Sequence, residues 1–484
     1  MRASRRVAAA QHPVDPVDRV APAPPDELSR AIDRAAGARP IGGNRLEHYP
    51  DSPRALDAMV AAIVAARATI HFENYIIRDD ATGRRFADVL AERARAGVRV
   101  RVLYDALGSL GTSHRYWRGL RQAGAEVRAF HPLLTPRPFE LLQRDHRKLL
   151  ATDGEWAMIG GLCIGDEWAG DPARGRRPWR DTMVAVSGPA AAALDGAFAR
   201  IWGRAGPALP PDELASDPAP CGSSIVRVVE GMPGRARVYR AVQLLAATAA
   251  ERLWITDAYL IAPATLYASL IDAARSGVDV RLLVPGASDL PILRNFTRVG
   301  YRDLLRAGVR VFEYQGPMIH AKTMLVDRRW ARVGSSNLNV SSLLTNYELD
   351  LAAECEALTG ELADQFRRDL ASSREIVLQA RRLLLPPKLV GAPAAQSKPA
   401  SDAPHKRSGY ELGAVAVVAL RRVAGGLRRA MASTAALASA GIGILLLAFP
   451  RIMSGVLAAG AFAVALAFGL YAFERRRSRD TDDG

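Results

Sequence analysis

The strongest constraint on the fold is an internal repeat, because four segments of the first half of the chain recur in the same order in the second half. Three of the pairs share an apolar strand pattern and the placement of an acidic residue or a glycine: 69–76 with 253–260, 93–105 with 273–285, and 120–130 with 304–314. The fourth pair begins at His146 and His320. Four matches in one order are not expected by chance, so the sequence predicts two copies of one structural unit.

Each copy has the pattern of an α/β unit. Between residues 39 and 384, apolar runs of strand character alternate with Ala-, Leu- and Arg-rich segments of helical period, which is typical of α/β folds. A Pro-rich break at 205–220 interrupts this pattern. We therefore predict two tandem α/β repeats, residues 39–210 and 211–384, packed pseudo-symmetrically around one site.

The segments outside the repeats differ from them in composition. Residues 1–38 are rich in Pro, Ala, Asp and Arg without periodicity, and this composition predicts a disordered arm. Residues 385–408 form a Pro/Ala-rich linker. Residues 409–429 are basic and partly apolar, so they form either an amphipathic segment at a membrane surface or an extension of the helix that follows.

The C-terminal part predicts a membrane anchor. Two uncharged runs, 430–449 and 452–473, are each long enough to cross about 30 Å of hydrocarbon. We predict two transmembrane helices within 430–474 and a charged cytoplasmic tail at 475–484. Arginines flank both outer ends of this pair, which places both ends in the cytoplasm and the repeats at the cytoplasmic face of the inner membrane.

The fourth repeated segment carries the candidate chemistry. Residues 1–387 contain only two lysines, Lys148 and Lys322, and each stands two positions after the repeated histidine. Alternate residues of a strand share a face, so each His and Lys point into one site. A compact ammonium group at close quarters with a phosphate oxygen explains why lysine stands here in a chain that is otherwise rich in arginine.

Each motif also contains an aspartate, Asp153 or Asp327, seven positions beyond the histidine. Seven residues of strand span about 20 Å, so neither aspartate can orient the histidine of its own motif. We expect both to pair with arginine or to cap a turn. Another carboxylate must therefore fix the tautomer of each histidine. The candidates are Asp181, which follows the first motif, and Glu348, which follows the second.

The two H-x-K-x4-D motifs resemble those of the phospholipase D superfamily, and the chain is most similar to the bacterial cardiolipin synthases within it. The resemblance covers about residues 40–384 and includes GGN, FENY, RDHRK and WRD in the first half, and HAKTMLVD, GSSNLN and NYE in the second. It implies that Ser335 and Asn337 contact phosphate and that Glu348 supports a histidine. It implies a catalytic set of six motif residues: His146, Lys148, Asp153, His320, Lys322 and Asp327. Cys163 stands where the first copy of the family motif has asparagine.

The resemblance implies displacement at phosphorus through a phosphohistidine, with no metal and no cofactor. One histidine must be neutral to attack and the other protonated to release the alkoxide. By family analogy His146 is the nucleophile and His320 the acid/base, although the symmetry of the repeat leaves this assignment open. The three cysteines are far apart and give no metal-binding spacing.

Three functions remain open from the sequence. The first is a membrane-anchored phosphatidyltransferase that makes cardiolipin from phosphatidylglycerol, with an alcohol as acceptor. The second is a phospholipase D that uses water instead, and the third is a nuclease of the same superfamily. The net charge of +15 permits an anionic partner of either kind. The predicted transmembrane pair favours lipid, so we expect an anionic phospholipid and a membrane as partners, and no nucleic acid.

Overall fold

The computed structural model describes residues 26–132, 142–214, 218–379 and 382–384. The strands of the first half are β1 Ile41–Tyr49, β2 Thr69–Asn74, β3 Arg99–Asp105, β4 Glu126–Phe130, β5 Lys148–Thr152, β6 Trp156–Gly160 and β7 Met183–Ser187. Those of the second half are β8 Ser224–Gly231, β9 Arg252–Thr256, β10 Asp279–Pro285, β11 Arg310–Tyr314, β12 Thr323–Val326, β13 Trp330–Gly334, β14 Glu348–Glu354, β15 Ser373–Gln379 and β16 Arg382–Leu384.

Helices connect many of these strands along the chain. They are α1 Glu27–Ala36, α2 Ser52–Ala65, α3 Ala81–Arg95, α4 His114–Gln122, α5 Asp166–Ala169, α6 Pro189–Trp202, α7 Arg237–Thr248, α8 Ala264–Arg275, α9 Pro291–Val299, α10 Tyr301–Arg306 and α11 Glu356–Ala371. Several begin at side-chain caps that the sequence displays, such as Asp51 before α2 and Ser113 before α4. In each case the side-chain oxygen accepts a hydrogen bond from an otherwise unpaired backbone N–H of the first turn.

The strand order repeats in the two halves of one continuous sheet. The first half reads β1-β7-β6-β5-β2-β3-β4 and the second reads β8-β14-β13-β12-β9-β10-β11, with β15 and β16 added at the outer edge. The antiparallel pairing of β1 with β8 joins the halves. The predicted α/β fold and its organisation in two related parts are therefore confirmed.

A shared core fixes the two halves against each other. Phe198 and Trp202 of α6 lie in one buried cluster with Phe366 and Leu370 of α11, and apolar residues of strands from both halves complete it. Burial of this kind stabilises by about 25 cal/mol for each Å² of apolar surface removed from water. The halves are thus held as one body, which is what a site between them requires.

The prediction of a disordered arm over residues 1–38 is wrong for its last part, because Glu27–Ala36 forms α1. Asp26 caps the helix by accepting from the N–H of Ser29, and Gly37 ends it with φ 59°. Its buried Ile32 joins a core cluster that contains residues of α7 in the second half. An acidic cap followed by helical spacing and a C-terminal glycine was the signal in the sequence.

The part of the chain described here contains no helix that is long and apolar enough to cross a membrane. The predicted linker, amphipathic segment, transmembrane pair and tail lie outside the described residues.

Candidate active site

The two histidine motifs are held by the opposite halves of the chain. His146 precedes β5, and its backbone N–H donates to the carbonyl of Tyr347 at 2.9 Å. His320 occupies the related place before β12, and its N–H donates to the carbonyl of Arg180 at 2.7 Å. Each motif is thus anchored to the segment that leads into a related strand of the other repeat, β14 for His146 and β7 for His320.

The side chains follow the same crossed pattern. Nδ1 of His146 lies 3.0 Å from Oε2 of Glu348, and Nδ1 of His320 lies 2.7 Å from Oδ2 of Asp181. A carboxylate can only accept, so Nδ1 carries the proton and Nε2 is left with its lone pair. The structure therefore brings both predicted carboxylates to the histidines, and each carboxylate serves the histidine of the other repeat.

The electrostatics of the carboxylates match this arrangement. Burial raises the pKa of Glu348, but His146, which is protonated at the low pH where Glu348 titrates, its hydrogen bond and the cation of Lys148 outweigh burial and hold the pKa at about 2. The pKa of Asp181 is also lowered, against the effect of burial, chiefly by His320. Both groups are therefore anionic across the neutral range and can orient the imidazoles.

Burial disfavours the cationic form of both histidines. Burial is the main cause that lowers the pKa of His146. Burial and then the neighbouring charge of Lys322 lower the pKa of His320 to about 4. Both imidazoles are therefore neutral near pH 7, which is the state required of a nucleophile.

Both motif lysines are fully buried beside the histidines. Each donates to the backbone carbonyl of the histidine two positions before it. Nζ of Lys322 also lies 3.0 Å from both ring nitrogens of His320, and Nζ of Lys148 lies 5.1 Å from the centre of the Tyr75 ring. Burial lowers the pKa of Lys322 to about 8, so this group keeps its proton at neutral pH.

The residues that follow each motif differ between the halves. Ser335 donates to Oε2 of Glu348, whereas the related position in the first half is Gly161. A Cβ added at Gly161 would lie 2.3 Å from Oδ1 of Asp181, so serine does not fit there. Trp168 supplies the missing donor, with Nε1 at 3.1 Å from Oδ2 of Asp181.

Asn337 and Cys163 are the next related pair, and both line the same cavity. Nδ2 of Asn337 lies 3.5 Å from Oγ of Ser342, and its buried Oδ1 has no hydrogen-bond partner within the described ranges. Burial raises the pKa of the Cys163 thiol, which is therefore uncharged at neutral pH. One half of the site presents an amide to a ligand and the other presents a thiol.

The structure does not bring Asp153 and Asp327 to the imidazoles. Each lies in the turn at the far end of its strand, with φ of 54° and 53°. Asp153 accepts from the backbone N–H groups of residues 67–69 at 2.7–2.8 Å, and Asp327 accepts from those of residues 250–252. These contacts fix the start of the neighbouring strand, as expected of residues that cap a turn.

We predict that Asp327→Ala lowers stability far more than the turnover of the folded enzyme. The change removes an acceptor of three N–H groups and places alanine at a positive φ, which together cost about 2–4 kcal/mol. Chemical denaturation should show this loss, while kcat per folded molecule stays within about tenfold. Asp327→Asn, which retains one acceptor oxygen and tolerates this φ, is the matched control. A large loss of kcat at unchanged stability would contradict the assignment.

The site opens into a cavity of about 400 Å³. His146 and His320 line it together with two tyrosines that follow the matched strands β2 and β9, Tyr75 and Tyr259. The Tyr75 ring centre lies 4.9 Å from that of His146, and the Tyr259 ring centre lies 6.0 Å from that of His320. Both tyrosines occupy the same position in the repeated segments 69–76 and 253–260, but the repeat alone does not place them beside the imidazoles.

Two tryptophans that follow the first motif contact the second histidine. The ring centres of Trp168 and Trp179 lie 5.4 Å and 6.0 Å from that of His320. Asn346 is a further residue that sequence reasoning missed, with Nδ2 at 3.5 Å from Oε1 of Glu348. Within the residues that the structure describes, no cluster of His, Cys, Asp and Glu could hold a metal ion.

Comparison with known proteins gives consistent results. The sequence profile of the family described as "Cardiolipin synthase, PLD-like domain" matches residues 59–202 and 242–370. Cardiolipin synthase A of Pseudomonas aeruginosa is 36% identical over 363 residues, covering 73% of this chain and 72% of that protein. Its counterpart in Pseudomonas fluorescens SBW25 is 34% identical over 358 residues, covering 73% and 74%. Among solved structures, phosphatidylserine synthase of Haemophilus influenzae Rd KW20 matches with a TM-score of 0.55 at 15% identity, covering 72% of this chain and 92% of that one. At this identity the likeness concerns the fold.

Proposed function

The chain belongs to the cardiolipin synthase family of the phospholipase D superfamily and is a cardiolipin synthase-like phosphatidyltransferase, and from this premise we propose that it converts two molecules of phosphatidylglycerol into cardiolipin and glycerol. The observation that carries the proposal is the pair of crossed histidine–carboxylate contacts beside one cavity, with a buried lysine next to each histidine. This arrangement supplies a nucleophile, an acid/base and positive charge for one phosphodiester.

In the first step, Nε2 of His146 attacks phosphorus and the bond from phosphorus to the glycerol oxygen breaks. The leaving alkoxide takes a proton from His320 and departs as glycerol, which leaves a phosphatidyl group on His146. In the second step, His320 takes the proton from a hydroxyl of another phosphatidylglycerol. That oxygen attacks phosphorus, the bond to His146 breaks, and cardiolipin is released.

The proton for the leaving group is available although His320 alone is neutral. Lys322 lies within hydrogen-bond distance of Nε2 of His320, so the pair holds one proton below the lysine pKa of about 8. A bound phosphodiester anion offsets the lysine charge that disfavours a protonated imidazole. Lys148 and Asn337 stabilise the negative charge on the non-bridging oxygens of the phosphodiester.

This role of Lys322 predicts an alkaline limit to activity. Below pH 8 the group is protonated, and as the pH rises through about 8 the cation and the stored proton are lost together. We expect kcat/KM, which reports the free enzyme, to fall about tenfold for each pH unit above that value. In Lys322→Arg the guanidinium stays charged at all these pH values. We therefore expect kcat/KM of this variant to be lower than in the wild type but no longer to fall above pH 8. An unchanged limb in this variant would show that another group causes it.

Exposed apolar side chains at the cavity, and close in sequence to residues that line it, support a lipid substrate. We define an apolar rim as Leu107 and Leu110, after β3, and Leu290 and Phe296, at the start of α9 and within it; their exposed fractions are 45–64%. Leu107 and Leu290 also line the catalytic cavity. We propose that the rim enters the lipid surface at the cytoplasmic face of the inner membrane, and that residues 430–474 anchor the chain there as two transmembrane helices.

We predict that the double variant Leu110→Ser/Phe296→Ser loses at least about tenfold in activity on phosphatidylglycerol vesicles, because two apolar side chains no longer leave water for lipid. Activity on a short-chain monomeric substrate should change less than twofold. Val64→Ser is the control, since Val64 is 52% exposed on α2 and lies outside the rim. Equal losses on both substrates would indicate damage to the site instead.

The function is tested with membranes from cells that express the chain and with labelled phosphatidylglycerol, by resolving the lipid products by mass. Cardiolipin with one free glycerol per molecule supports the proposal. Phosphatidic acid without cardiolipin would assign the reaction to hydrolysis. No lipid product would overturn phosphatidylglycerol as donor, and a nuclease assay would follow.

A further inference from the structure

A second cavity, of about 700 Å³, lies behind the strand segments that carry the candidate catalytic residues. Arg147, between His146 and Lys148, lines this cavity, as does Tyr347, which precedes Glu348. Successive residues of an extended chain point to opposite faces. The second cavity is therefore on the reverse face from the imidazoles, and the proposed transfer reaction makes no use of it.

The second cavity carries a strong excess of positive charge. Its charged lining consists of five arginines and a single carboxylate: Arg147, Arg200, Arg204, Arg235, Arg237 and Glu230. Glu230 is already shared, because Nη2 of Arg200 lies 2.8 Å from it and Nη1 of Arg147 lies 3.7 Å from it. In the described part of the chain, no carboxylate forms an ion pair with the other three arginines. Glu230, together with the buried Glu73 that pairs with Arg147 from outside the lining, cannot balance five arginines, so the cavity favours an anion.

Arg147 gives the cavity a buried donor. The residue is 1% exposed, and its Nη2 has no hydrogen-bond partner among the residues that the structure describes. Its Nε lies 3.1 Å from Glu73, which holds the guanidinium in place. A buried N–H without an acceptor costs about 1–3 kcal/mol, and an anion that contacts this guanidinium from the cavity would reduce the cost. Arginine is also the side chain best suited to two-point contact with phosphate.

The rest of the lining is largely apolar. Ile201, Leu209, Leu214 and Met232 are its larger members. A wall of this kind binds hydrocarbon rather than a free ion. We infer that the second cavity is a binding site for a phosphate-bearing amphiphile, with the phosphate at the arginines and an acyl chain along the apolar wall. The site is separate from the one at which the phosphodiester reacts.

The test uses the full chain in detergent and measures binding of dihexanoylphosphatidic acid by calorimetry. The background is Lys148→Ala/Lys322→Ala, which weakens anion binding at the catalytic cavity and stops turnover, so the result does not depend on the proposed reaction. We expect one saturable site in this background. Adding Arg235→Ala/Arg237→Ala should weaken it at least about tenfold.

The control adds Arg306→Ala/Arg328→Ala, because these arginines are 57% and 83% exposed and lie outside the cavity; affinity should not change. Ala208→Glu, at an exposed position of the cavity wall, gives an independent second variant if the arginine pair impairs folding. Unchanged affinity in both cavity variants, or no saturable binding in the background, would overturn the inference.

Two further ligands separate the parts of the inference. Inorganic phosphate tests the free ion and should bind at least about tenfold more weakly than the phosphatidic acid. Dihexanoylphosphatidylcholine has the same chains without a net charge and should also bind more weakly. Equal affinity for inorganic phosphate would reject the apolar half of the site, and equal affinity for the phosphatidylcholine would reject the anionic half.

Discussion

Replacing His146 with alanine is expected to reduce cardiolipin formation at least about 10⁴-fold, because the proposed reaction then has no group that can carry the phosphatidyl intermediate. The side chain lines the cavity and is 11% exposed, so the fold should survive. The measurement is the rate of cardiolipin formation in membranes, normalised to the amount of folded protein.

His320→Ala distinguishes the two histidines. With a phosphatidyl ester of p-nitrophenol, the leaving group needs no acid, so this variant should still release one equivalent of nitrophenol. The phosphatidyl group should then remain on His146, because no base activates the acceptor, and intact-protein mass should detect it. His146→Ala should give neither burst nor adduct. An adduct in His146→Ala and none in His320→Ala would reverse the two roles.

Glu348→Gln is expected to reduce kcat/KM about 10³-fold while leaving the fold intact. The amide has nearly the same shape, but it no longer favours the tautomer with the proton on Nδ1, or the charge that develops on His146 in the attack. Because Glu348 raises the pKa of His146, the acid limb of kcat/KM should also move to lower pH. Measurement of kcat/KM against pH gives both effects.

Glu361→Gln is the control, since its side chain is 60% exposed and lies outside the cavity. Asp181→Asn should reproduce the loss through His320, and the double variant should lose less than the product of the two single effects, because the histidines act in one reaction. Activity in Glu348→Gln within tenfold of the wild type would remove Glu348 from its proposed role.

The sequence was sufficient to predict the repeat, the α/β class and the pairing of His with Lys on one face. It also indicated that Asp153 and Asp327 are too far along their strands to reach the histidines. These features depend on local periodicity and on spacing within one segment, which a single sequence displays.

The crossed contacts could not be predicted in the same way. Asp181 lies 139 residues from His320 and Glu348 lies 202 residues from His146, and only the docking of the halves through β1 and β8 decides which carboxylate meets which histidine. The contacts of Trp168 and Trp179 with His320 likewise depend on how the halves dock, so the sequence did not predict them. The helix at 27–36 was not predicted, because the residues before it are rich in proline and its amphipathic pattern is only 10 residues long.

The crossed contacts also set the order in which the enzyme becomes competent during its own synthesis. The first repeat, which contains His146, is translated first, but the carboxylate that orients this histidine is at residue 348. Asp181 is translated before His320, yet the two side chains meet only after the second repeat has folded against the first. A nascent chain therefore lacks an assembled active site until nearly all of the catalytic region has been translated.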